Sequence, residues 1–238
     1  MGHTVIPLNR WEKPPQEFDY FFHCSAYGNH INQTDVEEIK KANIDLLWFY
    51  LMETIHVPYK AFINISTSSV LLPVQTMYST TKLAGELLCS MVRTQKNKPI
   101  VSVRPFSLYG PNDGNDHLIP TVIQSLRRNE VIELVYDAVH DWIFVEDFVD
   151  ALMVIIEKIK TIKNSSLSVG TGIQTSNVDI VTMISRTMDI ASRVKRIDRL
   201  RSYDTDLWKA KTKEIFSLGW RPKHTLQEGL KKTIALYE

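Results

Sequence analysis

Short apolar strands alternate with longer amphipathic helices along this chain, and this alternation limits the possible folds more than any other feature. Helices that follow strands in order are typical of α/β proteins, in which a mostly parallel sheet is covered by helices on both faces. The sequence predicts strands at 3–8, 18–26, 61–67, 99–105 and 166–172, and helices at 34–57, 79–95, 118–129, 145–159, 176–189 and 225–237.

Composition excludes several classes of protein. The 238 residues are 44% hydrophobic and 23% charged, as a globular core requires, and the net charge of +1 gives no reason to expect nucleic acid or an anionic membrane as partner. No apolar run reaches about 18 residues, so no membrane span is expected. The two cysteines form no disulfide framework, and we expect a reduced, cytoplasmic setting.

A metal site is not expected from the sequence. His23, Cys24 and His30 are the residues that a metal would use, but no pair of them has the spacing of known ligand pairs. The basic run at 193–201 is more often a solvated face than a binding surface.

Polar residues gather where predicted strands end, which is where parallel sheets place their sites. The strand at 61–67 runs into Ser-Thr-Ser-Ser at 66–69, and the strand at 99–105 runs into a turn. Tyr78 and Lys82 follow in the next predicted helix, one turn apart on one face. They are either a catalytic pair or two surface residues, and the spacing alone favours the second interpretation.

The catalytic interpretation has a chemical basis. A free tyrosine has a pKa of about 10, and a neighbouring ammonium group would lower it toward neutrality. A hydroxyl from Thr67 could bind the same reacting oxygen. Together the three groups could move a proton to or from a carbonyl or alcohol oxygen while a hydride moves at its carbon.

A series of segments, in order over about residues 18–238, resembles the extended short-chain dehydrogenase/reductase family of NAD-dependent nucleotide-sugar epimerases and dehydratases. The segments are DYFFHCSAYG, NIDLLW, FINISTSSV, YSTTK, VRPFSLYGPND, HDWIFVEDFVDAL, LSVGTG and LGWRPKHTLQEGLKKTIALY. The resemblance implies a Rossmann-like parallel sheet with a small C-terminal substrate lobe. It also implies a core domain at 1–165, with lobe residues inserted at 107–130, and a lobe with the closing helix at 166–238.

Functional residues follow from the same resemblance. Thr67, Tyr78 and Lys82 take the catalytic positions, and Lys82 would also hold the nicotinamide ribose of NAD or NADP. The remaining cofactor positions are Cys24, Ser25, Ala26 and Pro105, and the positions facing a nucleotide-sugar are Ser107, His140, Arg199 and Arg201. Family members often pair through the helices that correspond to 34–57 and 79–95, so a homodimer is expected.

Several departures from the family pattern bear on activity. The chain has no G-x-x-G-x-x-G loop, and its start resembles the family's second strand. The first strand, its glycine loop and its helix are therefore expected to be missing, and cofactor binding is expected to be weak or absent. Ser68 and Ser69 stand where family dehydratases carry an Asp-Glu pair, and Ser107 and His140 replace an Asn and an Arg.

Three interpretations remain open at this point. The chain is an NAD(P)-dependent nucleotide-sugar epimerase or reductase with a reduced cofactor site. Alternatively, it is a cofactor-free binding or assembly protein derived from the family, without turnover. In the third interpretation a second chain completes its Rossmann half.

Overall fold

The computed structural model describes residues 2–30, 32–136, 138–198 and 207–237. Within them the chain forms two compact units. The first takes in the described residues up to Val70, together with Gln75–Val103 and Lys158–Leu167. The second contains Leu71–Val74, Arg104–Glu157 and the described residues from Ser168 onward. The predicted division into a core domain and a substrate lobe stays a prediction, because compactness reports packing and not binding.

Both units mix strands and helices. The strands are β1 (Tyr20–His23), β2 (Ala61–Ile65), β3 (Ile100–Pro105), β4 (Ser107–Tyr109), β5 (Val131–Leu134), β6 (Val139–Phe144), β7 (Ser166–Val169), β8 (Gln174–Ser176) and β9 (Arg193–Arg196). The helices are α1 (Val36–Lys40), α2 (Leu46–Glu53), α3 (Met77–Lys96), α4 (Leu118–Arg127), α5 (Val145–Lys158), α6 (Asn177–Met188), α7 (Lys213–Ser217) and α8 (Leu226–Ile234).

The main sheet has the strand order β1-β2-β3-β7. Strand β1 pairs in parallel with β2, and β2 pairs in parallel with β3. Helices flank this sheet, so the prediction of an α/β fold with a parallel sheet is confirmed. Parallel strands place their carboxyl ends at one edge, which brings the segments after His23 and Ile65 to the same edge.

The core of the first unit lies between this sheet and two helices. Phe21, Phe62 and Ile100 from three neighbouring strands pack with apolar residues of α2 and α3. Gly85 allows the two helices to approach closely, because a Cβ there would lie 2.9 Å from Leu47 Cδ2 and 3.3 Å from the carbonyl oxygen of Asn43. Any side chain at this position would force the helices apart.

The predicted helix at 34–57 is continuous from Val36 to Glu53 but changes type. A π-helical segment, Lys41–Asp45, separates α1 from α2. The periodicity of apolar residues does not reveal such a segment, since it adds a single residue to one turn. Asp35 caps the helix by accepting hydrogen bonds from the backbone N–H groups of Glu37 and Glu38.

The second unit holds two smaller sheets and its own core. Strand β6 lies between β4, which is parallel to it, and β8, which is antiparallel. Strands β5 and β9 form a parallel pair. The core is closed by apolar faces of α4, α6 and α8, with Tyr109, Trp142 and Phe144 contributed by the strands.

The prediction of a strand at 3–8 is wrong. These residues form neither strand nor helix, and nearly all are exposed, including Val5 at 81%. Pro7 explains the difference, because a proline has no N–H to donate to a sheet ladder. The described residues before Tyr20 contain no strand or helix.

The strands β4, β5, β6, β8 and β9 had no counterpart in the prediction. β4 and β8 have only three residues each, and β9 has the sequence Arg-Val-Lys-Arg, so none of these three has the apolar character that marks a strand in the sequence. Among the described residues, no helix combines the length and the apolar content that are needed to cross a bilayer.

Candidate functional site

The helix start positions the candidate tyrosine. Thr76 and Ser79 form a reciprocal capping box, in which each side chain accepts a hydrogen bond from the other's backbone N–H, at 3.2 and 2.8 Å. Tyr78 is therefore held in the first turn of α3. Gly28, with φ of +102°, lets the loop after β1 pass close to it, because a Cβ there would lie 3.5 Å from the Tyr78 Cβ.

Thr67 lies close enough to Tyr78 to influence its titration. Thr67 Oγ1 donates a hydrogen bond to Ser69 Oγ at 3.1 Å and accepts one from the Ser69 backbone N–H at 3.2 Å. Burial raises the pKa of Tyr78, and the Thr67 hydroxyl opposes that rise. The sequence predicted that Lys82 would lower the pKa of Tyr78. The pKa of Tyr78 is instead raised, because the effect of burial outweighs that of the Thr67 hydroxyl.

Lys82 lies one turn along α3 and is buried, with 3% of its surface exposed. Its Nζ donates a hydrogen bond of 2.6 Å to the carbonyl oxygen of Ile65, the last residue of β2. Burial lowers the pKa of Lys82 to about 8. An ammonium group has three N–H donors, and Ile65 accepts one of them. Lys82 therefore fits the role of holding a ligand hydroxyl at this strand end.

A second buried residue of α3 lies on the same face. Glu86, 5% exposed, accepts a hydrogen bond of 2.5 Å from Ser66 Oγ. Ser66 directly follows Ile65, and its own backbone N–H donates to the carbonyl oxygen of Val103 at 2.7 Å. Residues at the end of β2 thus bind the side chains of both Lys82 and Glu86. The sequence did not single out Glu86. Its spacing of four from Lys82 was the available signal.

A row of polar side chains crosses the three neighbouring strands in register. His23 lies opposite Asn64, and Asn64 lies opposite Ser102. His23 Nδ1 and Asn64 Oδ1 are 3.3 Å apart, and Asn64 Nδ2 donates to Ser102 Oγ at 3.1 Å. Burial, followed by the charge of Lys82, lowers the pKa of His23 to about 3, so this imidazole is neutral. The row was missed because its members are far apart in the sequence.

Asn43 ties the helix pair to the loop after β1. Its side chain accepts from the Tyr27 N–H at 3.0 Å, donates to the Tyr27 carbonyl oxygen at 2.9 Å and donates to Thr81 Oγ1 at 3.0 Å. Asn43 lies in the π-helical segment, which turns the amide toward these partners. The loop that carries the predicted cofactor residues is therefore held by Asn43, which is itself bonded to Thr81 of α3.

The predicted cofactor positions fall at two places. Cys24, Ser25 and Ala26 follow β1 in the first unit, while Pro105 ends β3 and belongs to the second unit. Burial of its sulfur raises the pKa of Cys24, although the residue as a whole is exposed, and the charge of Lys82 opposes this rise. The segment after β1 and Lys82 fit the nicotinamide ribose side of a dinucleotide. No glycine-rich loop for its pyrophosphate occurs in the sequence.

Two predicted substrate residues meet in the second unit. Ser107 Oγ and His140 Nδ1 are 3.1 Å apart, and the His140 ring packs against the rings of Trp142 and Trp208. Both residues lie on the same face of the small sheet, since Ser107 pairs with Trp142 and alternate residues share a face. Arg199 and Arg201 lie outside the described residues, so their predicted contacts stay predictions.

Asp141 organises the loops of the second unit. Its carboxylate is fully buried and accepts four hydrogen bonds of 2.7 to 2.9 Å, from the N–H and hydroxyl of Thr171 and the N–H groups of Gly172 and Ala210. A Cβ at Gly170 would lie 2.8 Å from Asp141 Oδ2, so only glycine allows this approach. The two segments around 171 and 210 are held together by one side chain.

An aromatic cavity of about 330 Å³ lies in the same unit. Tyr109, Trp142, Phe144 and His224 line it, together with Thr171 and Thr175. The Trp142 indole N–H is buried and has no hydrogen-bond partner among the described residues. Aromatic side chains therefore form much of the wall of this cavity.

Several known proteins are similar to this chain in sequence. The model of the NAD dependent epimerase/dehydratase family matches residues 9–170. A GDP-L-fucose synthase of Sinorhizobium fredii is 25% identical over 172 residues, which are 68% of this chain and 54% of the relative. A dTDP-D-glucose 4,6-dehydratase of Homo sapiens is 26% identical over 168 residues, covering 67% of this chain and 47% of the relative. The chain spans about half the length of these curated relatives.

Solved structures show the same fold. A UDP-glucuronic acid 4-epimerase from Bacillus cereus, in complex with a fluorinated UDP-sugar and NAD, superimposes with a TM-score of 0.80 at 22% identity. The match covers 92% of this chain and 75% of that structure. At this level of identity the comparison establishes a common fold.

Proposed function

The chain belongs to the NAD dependent epimerase/dehydratase family, and from this premise we propose that it is an NAD(P)-dependent nucleotide-sugar epimerase or reductase. The observation that carries the proposal is the position of Tyr78 in the first turn of α3, near Thr67, with the buried Lys82 ammonium one turn away and bonded to the end of β2. These groups meet at the carboxyl ends of parallel strands, where α/β folds bind their ligands.

Tyr78 would carry the proton. Because burial raises its pKa, the phenol is protonated at neutral pH and is ready to donate to the oxygen of a keto sugar. In the opposite direction it must accept a proton from an alcohol, and the Thr67 hydroxyl helps here because it opposes part of the rise in the pKa of Tyr78. Thr67 would also orient the reacting oxygen.

Lys82 would bind the cofactor and would not transfer protons. Its charge is held in a buried place at the end of β2, with donors available for a ribose hydroxyl. NAD or NADP, when bound, supplies hydride transfer. The segment Cys24–Ala26 would lie against the nicotinamide half, and Pro105 is proposed for the same half.

The proposed reaction excludes sugar 4,6-dehydration. Elimination of water needs an acid and a base in addition to the tyrosine. Ser68 is buried and Ser69 is bonded to Thr67, and neither hydroxyl replaces a carboxylate as a base near neutral pH. We therefore propose epimerisation or ketone reduction.

The substrate would be a nucleotide-sugar. Ser107 and His140 would contact it, and Arg199 and Arg201 are proposed to bind its diphosphate, for which the guanidinium group is suited. The names of the relatives and the solved structures include GDP-, dTDP- and UDP-sugars, which supports this class of substrate without choosing a nucleotide.

A homodimer in the cytoplasm is part of the proposal. The helices that would form the contact expose apolar side chains, namely Trp48 at 39%, Met77 at 46% and Leu87 at 66%. A second copy would cover these residues. Sedimentation of the wild type beside Leu87→Glu tests this pairing.

The test of function is product analysis. Purified protein is incubated with UDP-, GDP- and dTDP-sugars and their 4-keto forms, with NAD and NADP or their reduced forms, and products are identified by NMR. An epimer or a reduced sugar supports the proposal, provided that Tyr78→Phe does not form it. A 4-keto-6-deoxy product would contradict it, and nucleotide-sugar binding without any product would favour a binding protein without turnover.

A further inference from the structure

We propose that Glu86, held by Ser66, is a positioning residue that keeps the buried Lys82 side chain charged and directed at the end of β2. This inference rests on the proposed function of Lys82 and names the group that maintains it. Glu86 does not touch the reacting atoms, so its role is exerted through Lys82.

Two consecutive residues hold two consecutive turns of α3. The carbonyl oxygen of Ile65 accepts from Lys82 Nζ at 2.6 Å, and the hydroxyl of Ser66 donates to Glu86 at 2.5 Å. Residues four apart on a helix lie one above the other. Lys82 and Glu86 are therefore anchored side by side on one short segment of backbone, which is itself fixed by the Ser66 N–H bond to Val103.

Both side chains are withdrawn from water. Lys82 is 3% exposed and Glu86 is 5% exposed. A charge in such a place is costly unless an opposite charge or hydrogen bonds compensate it. The carbonyl of Ile65 supplies one hydrogen bond to the ammonium. A nearby negative charge is the further compensation that the ammonium requires.

Burial lowers the pKa of Lys82, and Cys89, Cys24 and Glu86 oppose this, in that order, while His23 lies near Lys82 in neutral form. Burial raises the pKa of the Cys89 thiol to about 12 and also raises the pKa of Cys24. Both thiols are therefore protonated at neutral pH and supply no negative charge. Glu86 is the remaining acidic group among these, and its carboxyl is fixed one helical turn from Lys82 by Ser66.

The experiment measures the titration of Lys82 directly. Protein labelled with ¹³Cε-lysine is titrated from pH 6 to 11, and the Lys82 signal is assigned by its loss in Lys82→Met. In Glu86→Gln the amide still offers Ser66 an acceptor, so the packing is kept while the charge is removed. We expect the acid dissociation constant of Lys82 to rise about tenfold or more.

Three further variants separate charge from packing. Glu86→Asp keeps the charge and should titrate closer to the wild type than Glu86→Gln does. Ser66→Ala removes the hydroxyl that holds Glu86 and should shift Lys82 in the same direction by a smaller factor. Glu37→Gln, an exposed position of α1, should leave the Lys82 signal unchanged.

The outcomes are distinct. An unchanged Lys82 titration in both Glu86→Gln and Ser66→Ala overturns the proposal, as do equal shifts in Glu86→Gln and Glu86→Asp. If Glu86→Gln does not fold, the Ser66→Ala result decides between the outcomes. The measurement needs no substrate, so a shifted Lys82 in a protein without turnover would uphold this role while refuting the proposed function.

Discussion

Asp141 and Lys82 are two of the buried titratable side chains in the described part of the chain, and the protein holds them in different ways. Asp141 in the second unit is fully buried and accepts four hydrogen bonds, three of them from backbone N–H groups. Lys82 in the first unit is nearly as buried, donates one hydrogen bond of 2.6 Å to a carbonyl oxygen and has its pKa lowered to about 8.

We interpret this difference as the one between a side chain that holds structure together and a side chain that binds a ligand. A carboxylate whose acceptor sites are filled by loop backbone can only hold those loops in place. An ammonium that keeps donors available, at the cost of a lowered pKa, is suited to bind a ligand. The predictions that follow test whether Lys82 and its neighbours behave as working groups and Asp141 as a structural one.

The largest effect is expected at Tyr78. Replacing it by phenylalanine removes the proton donor and leaves the ring, so turnover should fall about 10²- to 10⁴-fold while the fold is unchanged. Steady-state rates and urea unfolding of Tyr78→Phe and the wild type check both parts. Turnover that survives the change would show that the proton moves through another group.

Removing the Asp141 carboxylate should affect stability instead. Asp141→Ala leaves buried N–H groups of Thr171, Gly172 and Ala210 without an acceptor, and each such group costs roughly 1–3 kcal/mol. We expect the free energy of unfolding to fall by at least about 3 kcal/mol, measured by urea denaturation. The control is Asp150→Ala, which removes a surface ion pair with Lys223 and should cost no more than about 1 kcal/mol.

If Asp141→Ala loses less than about 1 kcal/mol of its free energy of unfolding, the structural role that we assign to Asp141, in contrast to Lys82, is contradicted.

The burial of Lys82 should make the free energy of unfolding depend on pH. Its pKa is about 8 in the folded state and about 10.5 when unfolded, so the unfolded state binds more protons between these values and wild-type stability rises across that window. Relative to Lys82→Met, the wild type should gain about 3 kcal/mol between pH 7 and pH 10.5. Urea unfolding of both proteins at both pH values measures this. A difference that does not change with pH would place Lys82 in contact with water.

A smaller effect is expected on the acid side, at His23. The folded-state pKa of about 3 lies below the ordinary value of 6.5, so the stability that the neutral imidazole allows is lost progressively as pH falls below 6.5. At pH 5 the wild type should have lost about 2 kcal/mol relative to His23→Gln, compared with their difference at pH 7. Parallel unfolding curves at both pH values test this, and an equal loss in both proteins would contradict the burial of His23.

The sequence predicted the larger helices because their apolar residues repeat with a helical period over several turns. It predicted the strands of the main sheet because they are short apolar segments that alternate with these helices. It also singled out Thr67, Tyr78 and Lys82, since a spacing of four and a strand end are local signals. It could not show that Tyr78 would be buried enough to raise its pKa. The contacts of Glu86 and the row from His23 to Ser102 depend on strand register, which no local pattern contains.

The wrong prediction of a strand at 3–8 has a different cause. Val5 and Ile6 are apolar and β-branched, which favours a strand in isolation. Pro7 and the lack of a pairing partner among the described residues prevent one. The π-helical segment at Lys41–Asp45 was equally invisible, because it adds a single residue to one turn and leaves the apolar period almost unchanged.

The central claim is that Lys82 keeps its buried charge in order to bind a nicotinamide cofactor, and a ligand-observed NMR titration with NAD tests it most directly. The wild type should bind more weakly than micromolar, because the chain tested contains no glycine-rich loop for the pyrophosphate. Loss of a charged hydrogen bond in Lys82→Met should weaken binding a further roughly 10- to 100-fold. Equal affinities of the wild type and Lys82→Met for NAD would contradict the claim.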